Sequence, residues 1–257
     1  MPELFEAIDT KTAVVSLQWV NNETGIVQPI DEVAKRCREV GALFHTDACQ
    51  AVGKLLIGFN DAGFDFFTMT GHKIHGPKGI GALICRKLPA KSPFLAGGTQ
   101  EFGVRPGTEN IPGILGFGQA AKLRRQRFEQ VADYVTTLRD RFEQTIMSST
   151  PDITVNARGS TRVGNTTNLL FPGVEGAALV NNLDLQGVEC SQSSACTHAR
   201  PEPSHVLIAM GLSEEDAYAS IRFGLSELNT EEEMDIAAGV IIKSYRQLRS
   251  KTLAMVR

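Results

Sequence analysis

Cysteine is scarce in this 257-residue chain and shows no paired spacing. The five cysteines, at 37, 49, 85, 190 and 196, are odd in number and form no C-x-x-C, which argues against a disulfide framework and a structural zinc site. Reduced thiols are the expectation. No run of about 18 apolar residues occurs, so nothing reads as a bilayer-spanning helix. The opening Met1-Pro2-Glu3-Leu4-Phe5-Glu6 lacks the basic and apolar regions of a secretory signal, and the chain reads as cytoplasmic, without a membrane partner. Positive charge is not in excess either. With a formal net charge of −3 there is no global electrostatic case for direct nucleic-acid binding. The locally dense cluster Lys122-Leu123-Arg124-Arg125-Gln126-Arg127 lies in a helical pattern with acids following and reads as a solvated face. Internal repeats and low-complexity tracts are lacking as well.

What is present suits a folded enzyme-like chain. At 42% hydrophobic content, 257 residues can bury one large core or two modest ones. The pattern divides near Gly113. Before it, apolar runs at Ala13–Leu17, Ala42–Phe44, Phe64–Phe67 and Gly81–Cys85 alternate with helical or loop stretches such as Ile30–Val40, the βα alternation of a mostly parallel sheet covered by helices. After it, one long helical pattern from about Ile114 to Ser148 ends at the breaker Ser148-Ser149-Thr150-Pro151-Asp152. Strand-like Asn165–Phe171, a helix from about Glu175 to Asn182, a helix after Pro203, strand-like Ala219–Leu225 and a terminal helix opening at Asn229-Thr230-Glu231-Glu232-Glu233 follow. The fold class expected is α/β, with residues 1–113 and 114–257 as two domains.

Two short strings carry the chemistry. Asp47, in His45-Thr46-Asp47-Ala48-Cys49-Gln50, and Lys73, in Thr70-Gly71-His72-Lys73, each follow an apolar run of strand type. An acid that keeps a ring nitrogen protonated and a lysine that bonds an aldehyde are what pyridoxal phosphate requires of a protein. From spacing alone a helix-capping aspartate and a surface lysine are the more common reading. Further on, Cys196 lies in the small-residue stretch Gln192-Ser193-Ser194-Ala195-Cys196-Thr197, which reads as a mobile loop able to carry a thiol. A buried, inert cysteine is the alternative. Arg222, in Ser220-Ile221-Arg222-Phe223-Gly224, is either a paired structural charge or a carboxylate fork.

Five blocks, Val20-Asn21-Asn22-Glu23-Thr24-Gly25, His45 to Gln50, Thr70 to Gly79, Arg105-Pro106-Gly107-Thr108-Glu109-Asn110 and Ser193 to Thr197, stand in the order and approximate spacing of the NifS/IscS-type cysteine desulfurases, which the chain resembles from about Leu4 to Leu248. These belong to the class V aminotransferase-like enzymes. The resemblance implies pyridoxal-phosphate fold type I, with a partial large domain containing a mostly parallel sheet (1–113) and a smaller α+β C-terminal domain (114–257). By that resemblance Lys73 bonds the cofactor's aldehyde carbon and moves protons at the substrate's alpha carbon, Asp47 pairs with the ring nitrogen, and Gln50 and Asn22 contact the phenolic oxygen or substrate. Thr70 and His72 match positions that hydrogen-bond the phosphate, and Thr108 one that reaches the phosphate in a neighbouring subunit, implying a homodimer. Arg222 matches the ligand of the substrate carboxylate. Cys196 matches the thiol that takes sulfur from L-cysteine as a persulfide, leaving L-alanine, for delivery to a sulfur-acceptor or iron–sulfur scaffold protein. Cys190 has no counterpart of assignable role.

The family's N-terminal third has no counterpart in these residues. In the family it supplies a glycine-rich, threonine-containing phosphate turn and a histidine that stacks on the ring, so its absence is expected to weaken cofactor binding. A selenocysteine lyase is the enzymatic neighbour of this reading. A catalytically silent remnant, or one part of a split enzyme, is the contrary one.

Overall fold

The computed structural model describes residues 2–58, 63–86, 95–192 and 202–255. They gather into two compact units, one of residues 1–20 with 28–128 and one of residues 21–27 with 129–257.

The first unit opens with α1 (Pro2–Ala7) and β1 (Val14–Gln18), followed by α2 (Ile30–Val40) and β2 (Leu43–Asp47). In α2 the apolar residues Ile30, Val33, Ala34 and Cys37 recur at helical spacing and are all buried. Gly41 ends the helix in the left-handed region, φ 79°, and Ala42 N donates to Cys37 O at 2.9 Å, so the chain turns straight into β2. Then come β3 (Phe66–Thr70), a 3-10 turn at Gly71–Ile74, β4 (Gly81–Cys85) and α3 (Ile111–Gln126). The sheet order is β1-β2-β3-β4, with the first two pairings parallel and the last antiparallel. The mostly parallel sheet expected from the βα alternation is thus present. Asn110 caps α3, its Oδ1 accepting from Gly113 N at 3.1 Å.

The second unit comprises α4 (Phe128–Ser149), β5 (Thr154–Val155), β6 (Thr166–Leu170), α5 (Gly176–Asp184), α6 (His205–Ala209), α7 (Glu214–Tyr218), β7 (Ser220–Gly224) and α8 (Glu231–Met255). Its antiparallel sheet runs β5-β6-β7. The core beside it is built from Leu138, Phe142 and Ile146 of α4, Leu169 of β6, Ile221 and Phe223 of β7, and Ile241 and Tyr245 of α8. Thr230 and Glu233 cap α8 reciprocally, each backbone N–H donating to the other's side chain at 2.9 and 3.2 Å.

The long helix expected from Ile114 to Ser148 is two helices. Arg127, at φ −113° and ψ 12°, leaves the helical region between α3 and α4, although its own N still donates to Leu123 O at 3.3 Å. No proline or glycine marks the break, which hides it in the sequence. Of the basic cluster, Lys122, Arg125 and Arg127 are exposed as expected, whereas Arg124 turns inward and its Nε donates to Gly53 O at 2.6 Å. Among the described residues, no helix is long and apolar enough to cross a membrane.

A buried ion pair braces α4. Arg162 donates to both oxygens of Glu143, at 2.8 and 3.0 Å, while Arg139 Nε stands 3.9 Å from the same carboxylate. Arg162→Leu therefore leaves a buried carboxylate with only its weaker partner and is expected to cost about 3 kcal/mol, read as a lowered urea midpoint. An unchanged midpoint would show that the pair contributes nothing to stability.

Candidate functional site

Neighbouring strand ends position the first cluster. Gln18 of β1 stands opposite Asp47, and Asp47 opposite Thr68 of β3, so these parallel strands emerge together at one edge. In open α/β sheets that carboxyl edge is where ligands bind. Side chains alternate along a strand, placing His45 and Asp47 on one face of β2 and Thr68 and Thr70 on the same face of β3. His45 bridges this face: Nδ1 lies 2.8 Å from Ser16 Oγ and Nε2 3.3 Å from Thr68 Oγ1. No motif marks that histidine, but its place two residues before Asp47 in a strand is the signal that puts both on one face.

Asp47 is half-buried and oriented locally, Oδ1 accepting from Cys49 N at 2.9 Å. Lys73 lies in the 3-10 turn after β3 and is exposed. That turn is tightly specified. A Cβ on Gly71 would meet Ile80 Cγ2 at 3.0 Å and Pro77 O at 3.1 Å, and His75 closes the turn at φ 62°, a conformation that costs a non-glycine residue on the order of 1 kcal/mol. Thr70 Oγ1 lies 2.9 Å from His72 Nδ1, pairing a hydroxyl with an imidazole one step before the lysine.

Charge around this corner is dense. Burial pushes the Cys49 thiol up to about 12, with the Asp47 hydrogen bond and charge adding and Lys73 opposing. Burial likewise lowers Lys54 to about 8, helped by the like charges of Lys73 and Arg124. Lys54 Nζ donates to Gln50 Oε1, so the Gln50 carbonyl is engaged and its amide N–H group is the end left to act as a donor elsewhere. Lys54 was not singled out from sequence. Its spacing of four from Gln50 was the available signal. Thr108 is exposed in the loop between Gly107, at φ 103°, and the cap of α3.

Asn22 and Arg222 fall in the second unit, where they meet. Arg222 Nη1 donates to Asn22 O at 3.1 Å, and Arg222 pairs through its backbone with Ser191, at 2.7 and 3.0 Å. The turn holding Asn22 is closed by its neighbour. Asn21 Oδ1 accepts from Glu23 N, Thr24 N and Thr24 Oγ1 at 2.9, 2.9 and 3.0 Å, and Gly25, at φ 76°, completes it. Cys196 lies outside the described residues. Cys190 is half-buried, and burial raises its thiol to about 12.

Comparison with known proteins places this geometry in a lineage. The aminotransferase class-V family model matches residues 1–236. A cysteine desulfurase of Trichormus azollae is 45% identical over 250 residues, covering 97% of this chain and 62% of its own length. The solved NifS-like protein of Rickettsia africae ESF-5 superposes with a TM-score of 0.86 at 33% identity, covering 95% of this chain and 65% of that one. SspA in complex with cysteine matches at TM-score 0.70 and 33% identity, covering 88% of this chain and 62% of that one. The chain thus spans about 62% of the length of the curated relative it matches. These likenesses bear out the expected fold, a partial fold-type I α/β architecture with a mostly parallel sheet. The strand-end corner around Asp47 and Lys73, the Asn22–Arg222 contact and these matches lead to one conclusion: the chain belongs to the class V aminotransferase family, alongside cysteine desulfurases and NifS-like proteins.

Proposed function

We propose that this chain carries the lysine-bearing and carboxylate-binding parts of a pyridoxal-phosphate-dependent cysteine desulfurase. The observation that carries the reading is the placement of Asp47 and the Lys73 turn at the carboxyl ends of adjoining parallel strands. The donor set fits the cofactor: a locally oriented carboxylate, a primary amine, and a hydroxyl–imidazole pair that can donate to a phosphate. When bound, the cofactor supplies an electron sink through its protonated ring.

The chain's own groups divide the remaining work. With the cofactor bound, Asp47 would accept the ring N–H, Lys73 would hold the aldehyde end and carry the proton at the substrate's alpha carbon, and Thr70 and His72 would hold the phosphate. Gln50 and Asn22 offer amides to the phenolic oxygen or the substrate, and Arg222 offers a fork to the cysteine carboxylate. Thr108, being exposed, suits a role toward a neighbouring subunit's cofactor in a homodimer. Cys196 takes the sulfur. Its thiolate attacks the substrate sulfur, the carbon–sulfur bond breaks toward carbon, and that carbon gains a proton, so cysteine plus thiol gives alanine plus persulfide. High thiol proton affinity makes Cys49 and Cys190 poor rivals at neutral pH, which supports this choice. The persulfide would then pass to an acceptor or iron–sulfur scaffold protein, and the cytoplasm is the compartment we infer.

Borohydride reduction in the presence of cofactor, followed by peptide mass mapping, is expected to find the adduct on Lys73. An adduct on Lys54 or Lys78 would refute the assignment. Asp47→Ala is expected to lower turnover by about a hundredfold or more while leaving the circular dichroism spectrum intact, because a single well-placed electrostatic group acts on that scale. Turnover near the parent value would remove Asp47 from the mechanism.

Cys196→Ser, with Cys190 also replaced to prevent substitution, is expected to bind cysteine but release almost no alanine or sulfide. This assay is run with a polypeptide matching the family's N-terminal third supplied in cis or as a second chain. Full desulfuration by that variant would defeat the persulfide step, and retained turnover of selenocysteine alone would assign a lyase.

A further inference from the structure

Glu23 has no role in the chemistry above, yet it is buried, at 3% exposure. Its Oε2 accepts from Ser204 Oγ at 2.6 Å, and Ser204 in turn caps α6 by accepting from Leu207 N at 3.2 Å. Its backbone oxygen accepts from Asn168 Nδ2 at 3.3 Å. Asn168 stands directly opposite Arg222 in the β6–β7 pairing, and its Oδ1 accepts from Asn156 Nδ2 at 2.7 Å, which also donates to Ser220 Oγ at 2.9 Å. One residue away along the chain, the Asn22 carbonyl receives the Arg222 guanidinium.

The turn itself does not need this carboxylate, because Asn21 and Gly25 already close it. Burying a carboxylate is costly unless it is hydrogen-bonded, so its contribution lies in what it joins. It ties the 21–27 segment to Ser204 at the head of α6, while the adjoining backbone carbonyl ties the same segment to β6. A guanidinium has five donors in a fixed plane, so seating one of them on Asn22 O sets the direction of the others.

We infer that Glu23 is a positioning residue for the substrate carboxylate: by anchoring the Asn22 turn to Ser204 it holds the carbonyl that orients Arg222. This rests on the reading of Arg222 as the carboxylate ligand.

The test uses the full chain labelled with ¹⁵N, with the Arg222 Nη–H resonances observed at low temperature, assigned by their loss in Arg222→Lys, and their solvent exchange measured. Glu23→Ala is expected to speed that exchange by about tenfold or more, whereas Glu23→Gln, which keeps an oxygen acceptor for Ser204, stays near the parent rate. Thermal unfolding establishes that each variant is folded. If Glu23→Ala does not fold, Ser204→Ala removes the same bond from the other side and must give the same acceleration. Unchanged Arg222 exchange in a folded variant of either kind overturns the inference. In turnover assays the same change is expected to raise KM for L-cysteine about tenfold with kcat altered less than about twofold. Failure of the desulfurase reading shows separately, as a parent protein that does not turn over cysteine in the assay supplemented with the family's N-terminal third, and leaves the exchange result to decide the role of Glu23.

Discussion

Because β1, β2 and β3 run parallel, the residues leaving their carboxyl ends emerge along one edge of the sheet, and the β2–β3 register is the constraint on which the proposed chemistry depends. It sets Asp47 level with Thr68, two residues before Thr70 and therefore just ahead of the turn bearing Lys73. A register slip of one residue would send Asp47 to the opposite face and separate it from that turn. The hydrogen bonds through His45 to Ser16 and Thr68 join all three strands on this face and oppose such a slip.

The second unit solves a different problem, holding a flexible cation in one direction. Arg222 sits mid-strand in β7, its backbone paired with Asn168 on one side and Ser191 on the other, and its guanidinium meets the Asn22 turn. That turn is a sequence neighbour of β1, yet it packs with residues more than a hundred positions away through Asn168 and Ser204. Local turn chemistry shapes the segment, and the distant polar contacts decide where it resides.

Much of this was legible in the residues. The apolar runs read as strands overlap β1 to β4, β6 and β7, with β2 and β3 each running three residues past the end of the run, because short apolar runs bounded by turn residues stand out in the sequence. The two-residue β5 leaves no such run. The break at Arg127 was invisible because no proline or glycine stands between Lys122 and Phe128, and the inward turn of Arg124 depends on Gly53, far away in sequence. At the site, resemblance supplied Asp47, Lys73, Asn22 and Arg222. Lys54 and His45 left only a spacing in the sequence, from Gln50 and from Asp47, and Glu23 enters through burial and distance alone.

The central claim is that the Asp47–Lys73 corner accepts pyridoxal phosphate, and its most direct test is titration of the purified chain with that cofactor while following visible absorbance. The account predicts a saturable yellow band that is lost in Lys73→Ala and retained in Lys78→Ala. A protein that stays colourless under excess cofactor, or a band that survives in Lys73→Ala, would contradict it.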